Sequence, residues 1–297
     1  MSAGNSIYVV ITDFNGWQQT RTCLQKLNES SCKDFRTIVV DHGTSGETAA
    51  GIAEFPSCIH VRGDPEVWWT GATNLGIREA LARDATHVML LNNDCYVGQS
   101  TLATLVDHVA AKHDMIVAPV QRDLASGDVF VVRMGTCIPL GFATVVTARM
   151  RKLPTSGDRL LRTEIIAGGR GALIPVQVFD RVGLPDEEAL PHYYADHDFY
   201  LRCRAHGVQL YVATDANVYI DDTRTTIARD PGAMNWAQFR QSFNDRRSHR
   251  NLDALKALFS RHYPVRTLYP IGMFLNVSRY SLSYIVRRAT RFLRRSA

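Results

Sequence analysis

Paired cysteines are missing from this chain. Its six, Cys23, Cys32, Cys58, Cys95, Cys137 and Cys203, form no C-x-x-C pair and no zinc-ribbon spacing, which excludes the signatures of a structural zinc site and fits a reduced, cytosolic setting. No G-x-x-x-x-G-K-[ST] loop occurs and no G-x-G-x-x-G follows the first strand-like run, so a P-loop ATPase and a dinucleotide-dependent dehydrogenase lack their phosphate cradles. H-E-x-x-H and G-x-S-x-G are absent too, which counts against zinc-protease and serine-hydrolase chemistry. No run of eighteen apolar residues is present, so no segment is expected to span a membrane. The opening "MSAGNS" has neither a basic nor an apolar signal region, and no secretory signal is expected. Acidic residues stop at Asp253. Nine of the 34 Lys and Arg lie beyond it, leaving 25 against 29 Asp and Glu before it. The chain is a mildly acidic body, net −4, with a basic tail.

What is present reads as an α/β protein. At 297 residues with 45% hydrophobic content, the chain can bury a substantial core. The first 120 residues alternate β-branched runs with helix-like segments, as βαβ units feeding a mainly parallel sheet do. The runs are Ile7 to Thr12, Arg36 to Asp41, Cys58 to Val61 and His87 to Asn92. Each ends in polar residues, and in an open parallel sheet ligands bind at those carboxyl ends. Thr12, Asp13, Asp41, Asn92, Asn93 and Asp94 are therefore expected to share one rim. The stretch from about Gln121 to Ala167 is less regular, suited to antiparallel edge strands or a loop over the rim. Without a repeat or a Pro/Ser-rich linker, the economical division is a catalytic domain over 1–222 and a helical extension over 223–297.

Four constellations carry candidate chemistry. In "MLLNNDCYV", Asp94 at the mouth of the sheet suits a hard divalent cation, Mg²⁺ or Mn²⁺, although Asn and Asp also simply turn a chain after a strand. In "VVDHGTSGET", Asp41 is placed to accept from a nucleotide base or ribose, while Thr44 or Ser45 caps the next helix. In "EVWWTGATNLG", adjacent side chains of an extended segment point to opposite sides, so one of Trp68 and Trp69 is expected in the core and the other at the cleft. "PHYYADHDFYLRCR", from Pro191 to Arg204, admits a zinc site, an acid/base centre or an acidic helix start that satisfies the helix dipole.

Taken in order, "VVITDFNGW", "IVVDHGTSGE", "WWTGATNLGI", "LLNNDCYV", "GGRGALIPVQVFDRVG" and "PHYYADHDFYLRCRAHG" resemble the family 2 inverting glycosyltransferases of GT-A fold, specifically bacterial members similar to rhamnosyltransferases. The resemblance runs from about Ile7 to Tyr219. It implies a Rossmann-like, mainly parallel sheet flanked by helices, a nucleotide-sugar donor (dTDP-rhamnose or a UDP-sugar) and a lipid-linked or cell-surface glycan acceptor. It further implies that Asp41 contacts the base, that Asn74 lies by the nucleotide, and that Asp94 holds the metal on the diphosphate. Thr12, Asp13, Trp69, Asn92 and Asn93 are the accompanying donor-side candidates. The base of the family's "E-D-x-D" matches Asp196, with Asp198 orienting the site through Arg202 four residues on. Two positions depart from the family: Ala195 stands where many members have Glu, and "NVYIDD" offers Ile220, Asp221 and Asp222 where many have a metal- or diphosphate-binding His. A nucleotidyltransferase on a similar sheet, or a non-catalytic glycan- or membrane-binding protein, are the competing readings.

From Ile271 on, Phe274, Leu275, Leu282, Ile285, Val286, Ala289, Phe292 and Leu293 recur at helical spacing with six arginines interleaved. This composition suits an interfacial helix on an anionic membrane, and equally a helix packed on the body or on a second subunit of a homodimer. No nucleic-acid motif accompanies the basic charge. With the implied acceptor, the expected location is cytoplasmic, peripheral at the inner face of the cell membrane.

Overall fold

The computed structural model describes residues 6–109, 112, 114–221, 223 and 231–295. In chain order the strands are β1 (Ile7–Asp13), β2 (Arg36–Asp41), β3 (Ile59–Arg62), β4 (His87–Asn92), β5 (Cys95–Val97), β6 (Met115–Asp123), β7 (Val129–Val131), β8 (Gly135–Cys137), β9 (Phe142–Val145), β10 (Leu160–Arg162), β11 (Arg170–Pro175) and β12 (Gln209–Ile220). The helices are α1 (Trp17–Asn28), α2 (Glu47–Gly51), α3 (Trp68–Leu81), α4 (Thr101–Val109), α5 (Val176–Val182), α6 (Ala195–Ala205), α7 (Trp236–Gln241), α8 (Leu252–His262) and α9 (Tyr269–Arg295).

The central sheet runs β10-β12-β6-β11-β4-β1-β2-β3. The four strands β4-β1-β2-β3 are parallel, as is the β6–β12 pair, while β11 lies antiparallel to both its neighbours. The short strands of the irregular middle join as antiparallel edges: β7 on β6 and β10 on β12. Strand β1 explains the two layers. It is buried along its whole length, and the two-residue period sends Ile7, Val9 and Ile11 to one face and Tyr8 and Val10 to the other. The first face packs on Leu24 and Leu27 of α1 and Leu102 and Leu105 of α4. The second packs on Ile77 and Ala80 of α3 and Phe199 and Tyr200 of α6. Gly76 permits the close approach of α3, since a Cβ there would stand 2.2 Å from Val10 Cγ1.

A third apolar cluster joins the C-terminal helices to the body, with Leu255, Leu258 and Phe259 of α8 against Ile138, Leu190, Tyr194 and Ala195. The β8–β9 ribbon is gripped by α9: Asn276 Nδ2 and Arg279 Nη2 donate to Gly141 O at 2.8 and 2.6 Å, and the Arg279 guanidinium lies 3.8 Å from the centroid of the Phe142 ring. From Ile285 to Arg291 every residue of α9 is exposed. No helix among the described residues is long and apolar enough to cross a membrane. Asp222 and the side chains of 292–295 lie outside the described residues.

Candidate active site

The rim exists because β1, β2 and β4 run in parallel register, Thr12 beside Asn92 and Asp13 beside Asp41. Its members are used differently. Thr12 is buried and Asp13 fully so; the Asp13 carboxylate accepts from Gly16 N at 2.7 Å, Thr20 Oγ1 at 2.6 Å and Thr48 Oγ1 at 2.9 Å. Asn93 Nδ2 donates to Gly16 O at 3.3 Å and Thr20 Oγ1 at 3.1 Å. Asp13 and Asn93 thus fix the loop after β1 and the start of α1. Asp41, also buried, accepts from Gly43 N at 3.0 Å and Arg62 Nη1 at 2.5 Å, with His60 Nε2 at 3.6 Å. Beside it the Phe14 ring, 43% exposed, lies 5.2 Å from the His42 ring, whose pKa burial lowers. Motif reading passed over Phe14; its signal is an aromatic directly after a strand-end aspartate.

The two tryptophans open a helix rather than an extended segment, which corrects the expected opposition. Both are half-buried. Trp69 Nε1 donates to Asn92 Oδ1 at 2.9 Å, so Trp69 does reach the rim. Trp68 has φ +54°, its ring edge meets His192, and Arg246 and Arg247 lie over its face. Asn74 points elsewhere: it is buried, and its Nδ2 donates to Pro185 O at 2.8 Å and Glu187 Oε2 at 3.1 Å. The structure does not bring it into the rim group.

Asp94 meets a partner 127 positions later in the chain. Antiparallel pairing of β5 with β12 sets Cys95 beside Ile220, and Asp221 N donates to Asp94 O at 2.8 Å. Burial pushes the Asp94 carboxyl above the usual carboxylate range. The Cys95 thiol, which donates to it, and Arg170 oppose the rise, while the Asp221 charge adds to it. Arg170 is itself steadied by Gln121 Oε1 at 2.7 Å and by the Phe130 ring. Two aspartates brought to one strand end, each charge acting on the other, are oxygen donors of the kind that could hold Mg²⁺ or Mn²⁺ together with substrate phosphate. Among the described residues no group of three or more His, Cys, Asp and Glu is placed to hold a metal ion by itself, and the residues weighed above as a zinc site part company.

Each of those residues has its own partners. His192 packs on Trp68 and Tyr193, and burial lowers its pKa to about 4. Asp198 is wholly buried and accepts from Arg202 Nε at 2.8 Å, His262 Nε2 at 2.9 Å and Arg261 Nη1 at 3.3 Å. Burial opposes its ionisation, but His262 and Arg202 hold it down at about 2. Arg202 continues to Val182 O and Leu184 O, at 2.6 and 2.9 Å. Asp198 therefore bolts α8 and the end of α5 to α6.

Asp196 keeps 16% of its side chain exposed. Its Oδ2 accepts from Gly168 N at 2.6 Å, and its Oδ1 from His197 N at 2.8 Å with His197 Nδ1 at 2.7 Å. Burial would raise its pKa, yet the His197 ring and these N–H groups hold it below the usual range. Ala195 is fully buried in the apolar cluster with α8, so the residue that replaces the resembled family's Glu sits where a carboxylate would be costly.

A glycine turn links the two ends of the site. Gly168, at φ +43°, would place a Cβ 3.9 Å from both Asn92 Nδ2 and Asp196 Oδ2. Gly169 accepts from Asn92 N and leaves no room for a Cβ, which would fall 2.5 Å from Asn92 Oδ1.

This arrangement of sheet, rim and helix start is a GT-A fold, as comparison with solved structures bears out. The GalNAc-T7 structure with UDP, GalNAc and Mn²⁺ aligns with a TM-score of 0.59 at 14% identity, over 91% of this chain and 55% of that one, so the chain spans about half its length. S. aureus TarS 1–349 in complex with UDP gives 0.57 at 12% identity, over 96% and 92% of the two chains. The mannosyltransferase PcManGT from Pyrobaculum calidifontis, in complex with GDP-Man and Mn²⁺, gives 0.59 at 14%, over 98% and 75%. No curated protein matches the sequence. The model of glycosyl transferase family 2 matches residues 8–182, more than half of the chain, and the chain belongs to that family.

Proposed function

We propose that the protein is an inverting, metal-dependent glycosyltransferase that moves a sugar from a nucleotide-diphosphate sugar to a hydroxyl of a glycan acceptor. The observation that carries this reading is the turn 168–170, which touches both halves of such a reaction: Arg170 acts on Asp94, Gly169 fits against Asn92, and Gly168 donates to Asp196. Asp41, with the Phe14 and His42 rings beside it, suits a nucleotide base. Asp94 and Asp221 would hold Mg²⁺ or Mn²⁺, which when bound stabilises the negative charge of the departing diphosphate. Arg170 adds a fixed positive charge at the same end. Across the turn, Asp196 and the imidazole it holds form the base centre that removes the acceptor proton. dTDP-rhamnose or a UDP-sugar is the proposed donor.

Thermal shift with UDP, GDP and dTDP, with and without Mn²⁺, tests the donor half. One nucleotide should raise the melting temperature in a Mn²⁺-dependent way, by about 2.7 kcal/mol of stabilisation at a hundred times its Kd. Asp94→Asn should remove the Mn²⁺-dependent part. Nucleoside diphosphate released from the matching sugar nucleotide means glycosyl transfer. Pyrophosphate would mean nucleotidyl transfer, and no turnover with any donor a binding protein.

The acceptor is proposed to be lipid-linked and met at an anionic membrane surface. Ile271, Phe274, Leu275, Leu282, Ile285 and Val286 of α9 are all exposed, Phe274 by 70%. At 3.6 residues per turn they fall on one stripe, opposite the face through which Gly272, Asn276 and Tyr284 pack on the body. No acidic residue follows Asp253 and nine Lys and Arg do, a charge that an anionic lipid surface complements while the apolar stripe enters the interface. Co-sedimentation with phosphatidylglycerol vesicles, weak with phosphatidylcholine and lost in Phe274→Asp/Leu282→Asp, is the expected result. A salt-insensitive dimer that ignores both vesicles would overturn it.

A further inference from the structure

Asp196 is the obvious proton acceptor, but three of the four acceptor positions of its carboxylate are already taken. Three N–H contacts from Gly168 and His197 converge on its two oxygens at 2.6 to 2.8 Å, and a carboxylate so stabilised is a weak base. An ionised carboxylate has no proton to donate, so the short contact from Asp196 Oδ1 to His197 Nδ1 makes the imidazole the donor there. The other ring nitrogen, Nε2, then carries a lone pair. It faces Thr144 Oγ1 at 2.7 Å, and Thr144 is an exposed residue of β9. Carboxylate, imidazole and hydroxyl thus stand in line, the geometry in which an aspartate fixes the tautomer of a histidine that works as base.

We propose that His197 Nε2 is the atom that takes the acceptor proton, with Asp196 as the group that orients and charges it, and that the acceptor hydroxyl occupies the place now held by the Thr144 hydroxyl. This rests on the glycosyl-transfer reading. In the step, the acceptor O–H bond breaks and its proton passes to Nε2. The freed electron pair forms the bond to the anomeric carbon, and the bond from that carbon to the diphosphate oxygen breaks, its pair leaving with the nucleoside diphosphate. The imidazolium formed is neutralised by Asp196 at 2.7 Å. Among the described residues the ring meets Asp196 and Tyr194 from the start of α6 and Thr144 from β9. The side chain is 11% exposed, enough for one hydroxyl to reach the edge of the ring.

Two measurements test the assignment. The first needs no turnover: ¹⁵N NMR of the histidine rings should place the His197 proton on Nδ1 at pH 7.5, and a proton on Nε2 would overturn the proposal. The second follows nucleoside diphosphate release from UDP-, GDP- and dTDP-sugars with Mn²⁺ and octyl glycosides as acceptors. In the wild-type protein kcat/KM should show an acid limb, because a protonated imidazole cannot take the acceptor proton. His197→Gln should lower kcat by about 10²- to 10⁴-fold and abolish that limb, with the Mn²⁺-dependent nucleotide shift unchanged as proof of folding. A His197→Gln protein within about threefold of wild type, or one that keeps the same limb, overturns the base assignment while leaving glycosyl transfer intact. An inactive wild-type protein would overturn both.

Discussion

Asp196→Asn is expected to cost on the order of 10³- to 10⁴-fold in turnover while leaving nucleotide binding in place. The substitution keeps the shape of the side chain but replaces one acceptor oxygen by an NH₂ group. That group meets either Gly168 N–H or the His197 contacts, all of which now point at Asp196 as donors. If the amide turns its oxygen to Gly168, its NH₂ faces His197 Nδ1 and forces the ring proton to the other nitrogen; if it turns the other way, the Gly168 amide loses its partner. Either arrangement removes the negative charge beside the ring at the moment it becomes cationic, which is the loss that a wrong tautomer inflicts on Asp–His pairs in general. Among the described residues the proposed donor end at Asp41 and Asp94 is linked to this side chain through the turn 168–170, so the thermal shift with nucleotide and Mn²⁺ should survive. Steady-state release of nucleoside diphosphate, run beside that thermal shift, checks both halves. Unchanged turnover would remove Asp196 from the base centre altogether.

The parts of this site that were legible in the sequence are those built from neighbours in the chain. The four β-branched runs became β1 to β4 with ends displaced by a residue at most; in β1, β2 and β4 this is because a buried parallel strand needs an unbroken apolar run, while β3 is an edge strand with alternate residues exposed. The carboxylate pattern of 196 and 198 is likewise local, fixed by the start of α6. What escaped depends on pairing across long separations. Asp221 reaches Asp94 only because β12 takes β5 as an antiparallel edge partner, and nothing in "NVYIDD" announces that choice. Asn74 was carried to the nucleotide by its motif, whereas its amide is engaged by Glu187, 113 positions away, and by the Pro185 carbonyl. Asp41 gains Arg62 from the end of the adjacent strand, a cross-strand neighbour that parallel register supplies and spacing alone does not. The tryptophan pair failed for a different reason: a segment read as extended is the first turn of a helix, where successive side chains differ by about 100° rather than 180°.

The second large effect falls on stability rather than turnover. Asp198→Ala should destabilise the fold by about 3 to 5 kcal/mol, because removing one partner of a buried pair leaves the others desolvated and unpaired. Here the stranded groups are Arg202 Nε and His262 Nε2, with Arg261 losing one of its two carboxylates but keeping Asp186. Since Arg202 and His262 belong to different helices, the loss loosens α8 from α6 and with it the apolar cluster of Leu255, Leu258 and Phe259. Differential scanning fluorimetry should register a fall of roughly 6–12 °C, and hydrogen exchange should speed up first in α8. The pH dependence has a definite sign. The carboxyl is held at about 2 in the folded chain, below its ordinary unfolded value of about 3.9. Its contribution is therefore complete above about pH 4 and lost as pH falls from there towards 2, an amount of about 2 to 3 kcal/mol. Wild type and Asp198→Ala should differ most near neutrality and converge in acid. A gap that stays constant down to pH 2.5, or one that widens, would show that the ionised carboxylate is not what secures the C-terminal helices to the body.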